Sequence, residues 1–144
     1  MDFLFTEVAL RLVIAAVLGG LVGFERERKH ATAGLRTLVL VAVGAALITI
    51  LALQTTSLDQ NPAVLSAGVI TGIGFLGAGA ILRDKSNVHG TTTAASIWVV
   101  AMIGMAVGYG YFDEAIFATF IALAVLVVLY LYEKKYLKKK QDGG

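Results

Sequence analysis

The sequence of 144 residues contains no cysteine and one proline, and only 15% of its residues are charged. Without cysteine, neither a disulfide framework nor a thiolate metal site is available to the fold. Hydrophobic residues make up 58% of the chain and the mean hydropathy is +0.81, whereas soluble domains are near half apolar and about a quarter charged. A small soluble domain has too much surface for its volume to bury this excess. The composition therefore predicts a protein whose apolar surface faces lipid.

Five stretches of the sequence are long and apolar enough to cross a bilayer as helices, which takes about 20 residues each. They are residues 8–24, 35–53, 63–82, 93–111 and 115–132, followed by a short basic tail at 133–144. The connections between them are short and polar, so consecutive helices are expected to run antiparallel. The sequence predicts a single domain of the all-α class, a bundle of about five transmembrane helices.

The basic residues indicate how this bundle is oriented, because cytoplasmic loops carry Lys and Arg in excess. All of them except Arg11 lie in the first loop, the third loop or the tail. The N-terminus, the loop around 54–61 and the loop around 108–114 contain none. This alternation predicts an N-terminus outside the membrane and a cytoplasmic C-terminus.

Several of the 16 glycines are spaced four residues apart, a spacing that lets transmembrane helices approach closely. The predicted packing positions are Gly19, Gly23, Gly68, Gly72, Gly77, Gly104 and Gly108. Their partners are expected within the chain or in another protein, including a second copy. The segment 72–79 also permits a third helix that bends or breaks and exposes carbonyl groups, as in transporters. Its GxGxxG match at 72–77 is not a dinucleotide motif, because that motif needs a preceding strand.

Arg11 is the one charged residue well inside a predicted span, and a charge there marks a partner or a site by default. In one interpretation its side chain reaches the outer surface and pairs with Glu7, four residues earlier. In the other it lies on the helix face that contains Ala15, Gly19 and Gly23, and contacts another helix or a ligand. The sequence leaves both interpretations open.

Further polar residues lie in the two basic loops and at the helix ends beside them. The candidate functional residues are Arg11, Glu25, Arg26, Arg36, Thr37, Arg83, Asp84, Thr91 and Thr92. Apart from Arg11 they belong to one membrane face, where packing of the helices would bring them together as one polar cluster. The sequence does not decide whether this cluster binds a ligand or only locks the helices together.

Several of these segments together resemble the MgtC/SapB-like family of membrane proteins. The matching elements are Arg11-Leu12 with Ala15 and Gly19, the segments 23–27, 33–37, 72–79 and 88–95, and Trp98. They cover the first four predicted helices in order. The combination is specific to the family, although no single element is.

The resemblance implies a multi-pass protein of the bacterial inner membrane, in a family associated with growth in low magnesium and with survival inside host cells. The best-known member is reported to restrain the F-type ATP synthase rather than to carry magnesium. Many members add a soluble C-terminal domain, whereas the resemblance covers only the transmembrane part. Many also have glutamine at the position of Gly68, so this chain lacks a polar group in its third helix.

The sequence does not predict an enzyme, since no nucleophile lies beside a base at the spacing of a catalytic motif. It also predicts no metal site, no cofactor and no nucleic acid. The expected partners are the lipid bilayer and either another membrane protein or a second copy, in the simplest case as a dimer. The leading hypothesis is a regulatory or accessory protein whose glycine faces, that of Gly19 and Gly23 included, bind the partner. The alternatives are a magnesium or other ion transporter, and a structural subunit of a membrane complex.

Overall fold

The computed structural model describes residues 2–54, 62–83 and 88–137, which are almost entirely helical. The helices are α1 at Asp2–Arg28, α2 at Leu35–Gln54, α3 at Pro62–Gly79, α4 at Thr91–Tyr109 and α5 at Phe112–Ala124. Helix α5 continues through π-helical turns at Val125–Leu129 and Glu133–Leu137, on either side of an α-helical turn at Tyr130–Tyr132. The predicted all-α bundle is confirmed. The last residues of the predicted tail, 138–144, lie outside the described residues.

Four helices in the described ranges are long and apolar enough to cross a membrane. They are Phe5–Arg28, Leu35–Gln54, Thr91–Tyr109 and Phe112–Lys135. The apolar part of α3, Ser66–Gly79, is shorter. Helix α3 is continuous from Pro62 to Gly79, so it does not have the break that the glycine-rich segment 72–79 also permitted.

The third predicted span extended to residue 82, but α3 ends earlier because the chain turns into a small hairpin. Its strands are β1 at Leu82–Arg83 and β2 at Val88–His89, paired antiparallel with Leu82 opposite His89. Helix α4 then begins at Thr91, two residues before the predicted start. Gly90 makes the connection with φ of 87°, and a Cβ at this position would overlap the carbonyl oxygen of Ala80. Glycine is therefore required at position 90.

Consecutive helices run antiparallel, as predicted from the short connections. Gly23, near the end of α1, contacts Leu35 at the start of α2. The ammonium of Lys29, just after α1, lies 3.6 Å from the ring centroid of Tyr130, near the end of the last helix. We call the end of the bundle that contains these residues, the β1–β2 hairpin and the start of α4 the basic end. That the basic end faces the cytoplasm stays a prediction.

Helix α4 is at the centre of the bundle, with 56% of its span buried against 11% for the span of α5. It packs on α2 through Gly104 and Gly108. A Cβ at Gly108 would lie 2.7 Å from the carbonyl oxygen of Ala46, and one at Gly104 would overlap the carbonyl oxygen of Ala42. The two backbones are therefore in contact, which only glycine permits.

Helix α1 also packs on α2, through its own glycines. A Cβ at Gly19 would lie 2.6 Å from the Cβ of Ala42, and one at Gly23 would lie 2.9 Å from the Cα of Leu35. Ala42 at this contact is fully buried, and so is Ala15, one turn before Gly19 on α1. We call these close contacts of α2 with α1 and α4 the α1–α2–α4 seam.

Candidate functional site

Two charged side chains are buried together at the end of α1. Nε of Arg26 donates a hydrogen bond to Oε2 of Glu25 over 2.5 Å, and the two side chains are 8% and 10% exposed. The other carboxylate oxygen, Oε1, has no hydrogen-bond partner among the described residues. Burying two charges is costly, and losing one of them is costlier still because the other is left unpaired. These two candidate residues therefore act as a unit.

The next carboxylate, that of Glu27, closes the turn between α1 and α2. Its Oε2 accepts a hydrogen bond of 2.8 Å from the backbone N–H of Leu35, the first residue of α2. Its negative charge is also favourable at a helix N-terminus. Gly34 makes room for it, since a Cβ there would overlap the carboxylate. Glu27 thus takes the part of an N-cap side chain.

Glu27 was not among the candidate residues drawn from the sequence. The sequence offered only a weak signal for it, because Gly34 before α2 is an acceptable N-cap residue that has no side chain to cap the helix. An uncapped helix start close to a carboxylate of the preceding helix indicates that the carboxylate supplies the cap.

A groove of about 1250 Å³ lies between α2 and α3. Its lining along the helices is apolar and consists of Leu40, Val41, Gly44, Ala45, Ile48, Gly68, Val69, Gly72, Ile73 and Leu76. Three of its glycines, Gly44, Gly68 and Gly72, have no atom within 4 Å of the place that a Cβ would occupy. We call this space the α2–α3 groove. Two glycines predicted to pack, Gly68 and Gly72, therefore line an open space in this chain.

At the basic end the α2–α3 groove has a polar rim. The rim contains Glu27, His30, Thr32, Arg36 and Thr37. Arg36 is exposed and forms no ion pair within the described part of the chain, while the carboxylate of Glu27 is bonded to the α2 backbone. The rim therefore presents an unpaired guanidinium and two exposed hydroxyl groups beside an apolar space.

Arg11 lies at the opposite end of the bundle from the other candidate residues. Its Nη1 donates to the carbonyl oxygen of Gly108 over 2.6 Å, and its Nη2 forms an ion pair with Glu7. Both interactions that the sequence left open, the pair with Glu7 and the contact with another helix, are present together. A positive charge is favourable at a helix C-terminus, so Arg11 holds α1 to the end of α4.

The remaining candidate residues share the basic end without forming one network of contacts. Arg83 is exposed on β1, and Thr91 and Thr92 are exposed in the first turn of α4. Asp84 lies outside the described residues. In the ranges that the structure describes, no ion pair joins these residues to the buried pair of α1. The convergence of all of them on a single polar cluster stays a prediction.

The predicted packing glycines fall into two groups. Those in contact with another helix of the same chain are Gly19, Gly23, Gly77, Gly104 and Gly108. Gly68 and Gly72 have no such neighbour. Because α2 covers the face of Gly19 and Gly23, that face is not available to a partner protein, contrary to the hypothesis drawn from the sequence. The glycines that remain available line the α2–α3 groove.

The sequence matches the model of the MgtC family over residues 12–135, from α1 to the last helix. The chain belongs to the MgtC family. A protein of Escherichia coli named putative magnesium transporter YhiD is 40% identical over 92% of this chain and 65% of its own length. Proteins named MgtC from Salmonella typhimurium and Brucella abortus are 48% and 45% identical, over 83% and 80% of this chain. These matches cover 51% and 48% of the two MgtC proteins.

The chain thus spans about half to two thirds of the length of the curated relatives that it matches. No solved structure gives a significant match. Membership of the MgtC family, together with its long apolar helices, makes the chain a membrane protein. The MgtC family is not a known enzyme family.

Proposed function

We propose that this MgtC-family chain is a non-enzymatic regulatory or accessory protein of the bacterial inner membrane. It acts through contacts with other membrane proteins when magnesium is scarce, and the F-type ATP synthase is the first such partner to test. The observation that supports this proposal best is the closure of the α1–α2–α4 seam.

An ion path through a bundle needs polar groups near the middle of the bilayer, because the ion must exchange water for other ligands. In the seam this position is occupied by direct contacts between backbones, such as that of Gly104 with Ala42. The buried hydroxyl groups of Thr49 and Thr119 each donate to a carbonyl oxygen of their own helix over 2.8 Å. These features are those of a packing element and not of an ion path.

The positions of the carboxylates also argue against an ion path. Magnesium prefers oxygen ligands in a near-ideal octahedral arrangement. The buried carboxylate among the described residues is that of Glu25, which is paired with Arg26 at the basic end. Within residues 2–54, 62–83 and 88–137, no three His, Asp or Glu side chains come together as possible metal ligands. The geometry therefore favours a regulator over a carrier.

A magnesium transporter is the second candidate, because one relative bears that description in its name. With the seam closed, the α2–α3 groove is a described space that transport could use. Its lining inside the bundle, from Leu40 to Ile48 and from Gly68 to Leu76, is apolar. An apolar lining opposes the passage of a strongly hydrated cation.

Both candidates can be tested in liposomes, with a magnesium indicator inside to measure uptake and a pH indicator to measure proton pumping. With the purified chain alone, we expect magnesium uptake no faster than in protein-free liposomes. With purified F-type ATP synthase added, we expect ATP-driven proton pumping to be slower with the chain than without it. An unrelated membrane protein inserted in the same amount controls for effects of any inserted protein. Magnesium uptake that scales with the amount of chain, with proton pumping unchanged, would replace the regulator by the transporter.

A further inference from the structure

The α2–α3 groove runs from the basic end towards the middle of the bundle. On α2 its lining extends from Arg36 to Ile48, a distance of roughly 18 Å at about 1.5 Å per residue. The apolar part of one leaflet is roughly 15 Å deep, which is half of the hydrocarbon thickness of a bilayer. The groove therefore has the length of one leaflet, and its polar rim lies where α2 enters the apolar span.

The apolar part of the groove is open and needs an occupant. Gly44 on α2 and Gly68 and Gly72 on α3 have no neighbouring atom within 4 Å of a Cβ position. An empty space of this size would forfeit the dispersion contacts of all the side chains that line it. In a bilayer the occupant of such a space is an apolar chain or helix, because water is excluded from the hydrocarbon.

On the polar rim the carboxylate of Glu27 is engaged by the α2 backbone, and the cation of Arg36 is left to attract an occupant with a negative charge. The guanidinium of Arg36 has no ion-pair partner in the described part of the chain, and the hydroxyls of Thr32 and Thr37 are exposed beside it. Arginine binds a phosphate group through two parallel N–H groups. Basic pockets between transmembrane helices on the cytoplasmic side bind acidic lipid headgroups in this manner.

A second copy of the chain fits the rim less well than a lipid does. Two copies inserted in the same orientation have their basic ends at the same level of the membrane. Around the first loop each copy has four cations, at Arg26, Arg28, Lys29 and Arg36, against the two carboxylates of Glu25 and Glu27, so two copies would bring like net charges together. Like net charges placed opposite each other oppose association, whereas an anionic headgroup would be attracted by the net positive charge.

We propose that the α2–α3 groove binds one anionic phospholipid, with an acyl chain between the helices and the phosphate at Arg36, Thr32 and Thr37. The site is independent of the regulatory function proposed above. It requires only that the groove be open to the leaflet that contains the basic end. Its two halves, the charged rim and the apolar space, can be tested separately.

The charged half is tested by the retention of phosphatidylglycerol by the purified whole chain, measured by native mass spectrometry. The protein is released from micelles that contain equal amounts of phosphatidylglycerol and phosphatidylcholine. We expect the wild type to retain phosphatidylglycerol in preference. Arg36→Gln should lower this retention roughly tenfold, because a charge-assisted hydrogen bond is lost. Arg83→Gln removes an exposed cation of the basic end that does not line the groove, and should retain the lipid.

The apolar half is tested with two glycines of α3. Gly72 lines the groove and Gly74 does not, yet neither has a neighbour within 4 Å of a Cβ position. Gly72→Leu and Gly74→Leu should therefore both leave the helical circular dichroism unchanged. Only Gly72→Leu should lose the bound phosphatidylglycerol, because its side chain takes the place of the acyl chain.

Three results would overturn the proposal. The first is equal lipid retention by Gly72→Leu and Gly74→Leu, and the second is wild-type retention by Arg36→Gln. The third is a wild-type dimer that Gly72→Leu converts to a monomer with no change in bound lipid. That result would identify the groove as an interface between copies.

Discussion

The α1–α2–α4 seam and the α2–α3 groove share helix α2 and are both rich in glycine, yet one is closed and the other is open. A Cβ at Gly108 would lie 2.7 Å from the neighbouring backbone, whereas one at Gly72 would meet nothing within 4 Å. The difference arises from the neighbouring helix, because α4 brings its own glycines against α2, whereas the glycines of α3 at positions 68 and 72 face open space. Glycine spacing therefore indicates that helices are able to approach closely, and not that they do.

The largest effect is expected when the same substitution is made in both regions. Gly104→Leu forces a side chain into the backbone contact with α2 and should destabilise the bundle by about 3 kcal/mol or more. Gly72→Leu enters open space and should change stability by no more than about 0.5 kcal/mol. Unfolding in mixed micelles with increasing sodium dodecyl sulfate, followed by circular dichroism, measures both. Equal losses of stability in the two variants would mean that the seam and the groove are packed equally closely.

A smaller effect is expected at the end of the seam. Arg11→Gln removes the charged donor to the carbonyl of Gly108 and should cost about 2 kcal/mol. Glu7→Gln, at a side chain that is 42% exposed, should cost less than about 1 kcal/mol. Hydrogen exchange should become faster around residues 104–110 in the arginine variant, while phosphatidylglycerol retention stays at the wild-type level. A change in lipid retention would show that the seam and the groove are not independent.

The smallest effect is expected at the rim of the groove. Glu27→Gln removes the negative charge at the N-terminus of α2 and should cost about 0.5 kcal/mol. Gly34→Ala should have a similar effect, because its Cβ displaces the carboxylate from Leu35. Both changes should appear as faster hydrogen exchange in the first turn of α2. Arg83→Gln, outside the groove, is the matched control, and exchange in all three variants at the wild-type rate would contradict a capping role for Glu27.

Hydropathy and length were sufficient to predict the all-α bundle, because lipid requires each spanning segment to satisfy its own backbone hydrogen bonds as a helix. The end of α3 was placed three residues too late. The residues after Gly79 are as apolar as those before it, and the turn depends on the pairing of Leu82 with His89. A pairing of that kind does not appear in a hydropathy profile.

The candidate site was predictable only in part, because its contacts depend on how the helices are arranged in space. Arg11 was recognised by its charge inside an apolar span, but whether it reached Glu7, another helix or both depended on the position of α4. Gly68 and Gly104 have the same four-residue spacing to a second glycine, and only the arrangement of the helices distinguishes them. Glu27 was missed because its hydrogen-bond partner is the backbone of the next helix, which no side-chain motif records.

The width of the α2–α3 groove depends in part on a helix outside it. The hydroxyl groups of Ser66 in α3 and Tyr109 in α4 are 2.5 Å apart, and near the other end of α3 a Cβ at Gly77 would lie 3.7 Å from Ala94 of α4. Helix α4 contributes no residue to the lining that the structure describes. It therefore acts as a spacer, and substitutions along the α3–α4 contact would resize the groove while leaving every residue that touches its contents unchanged.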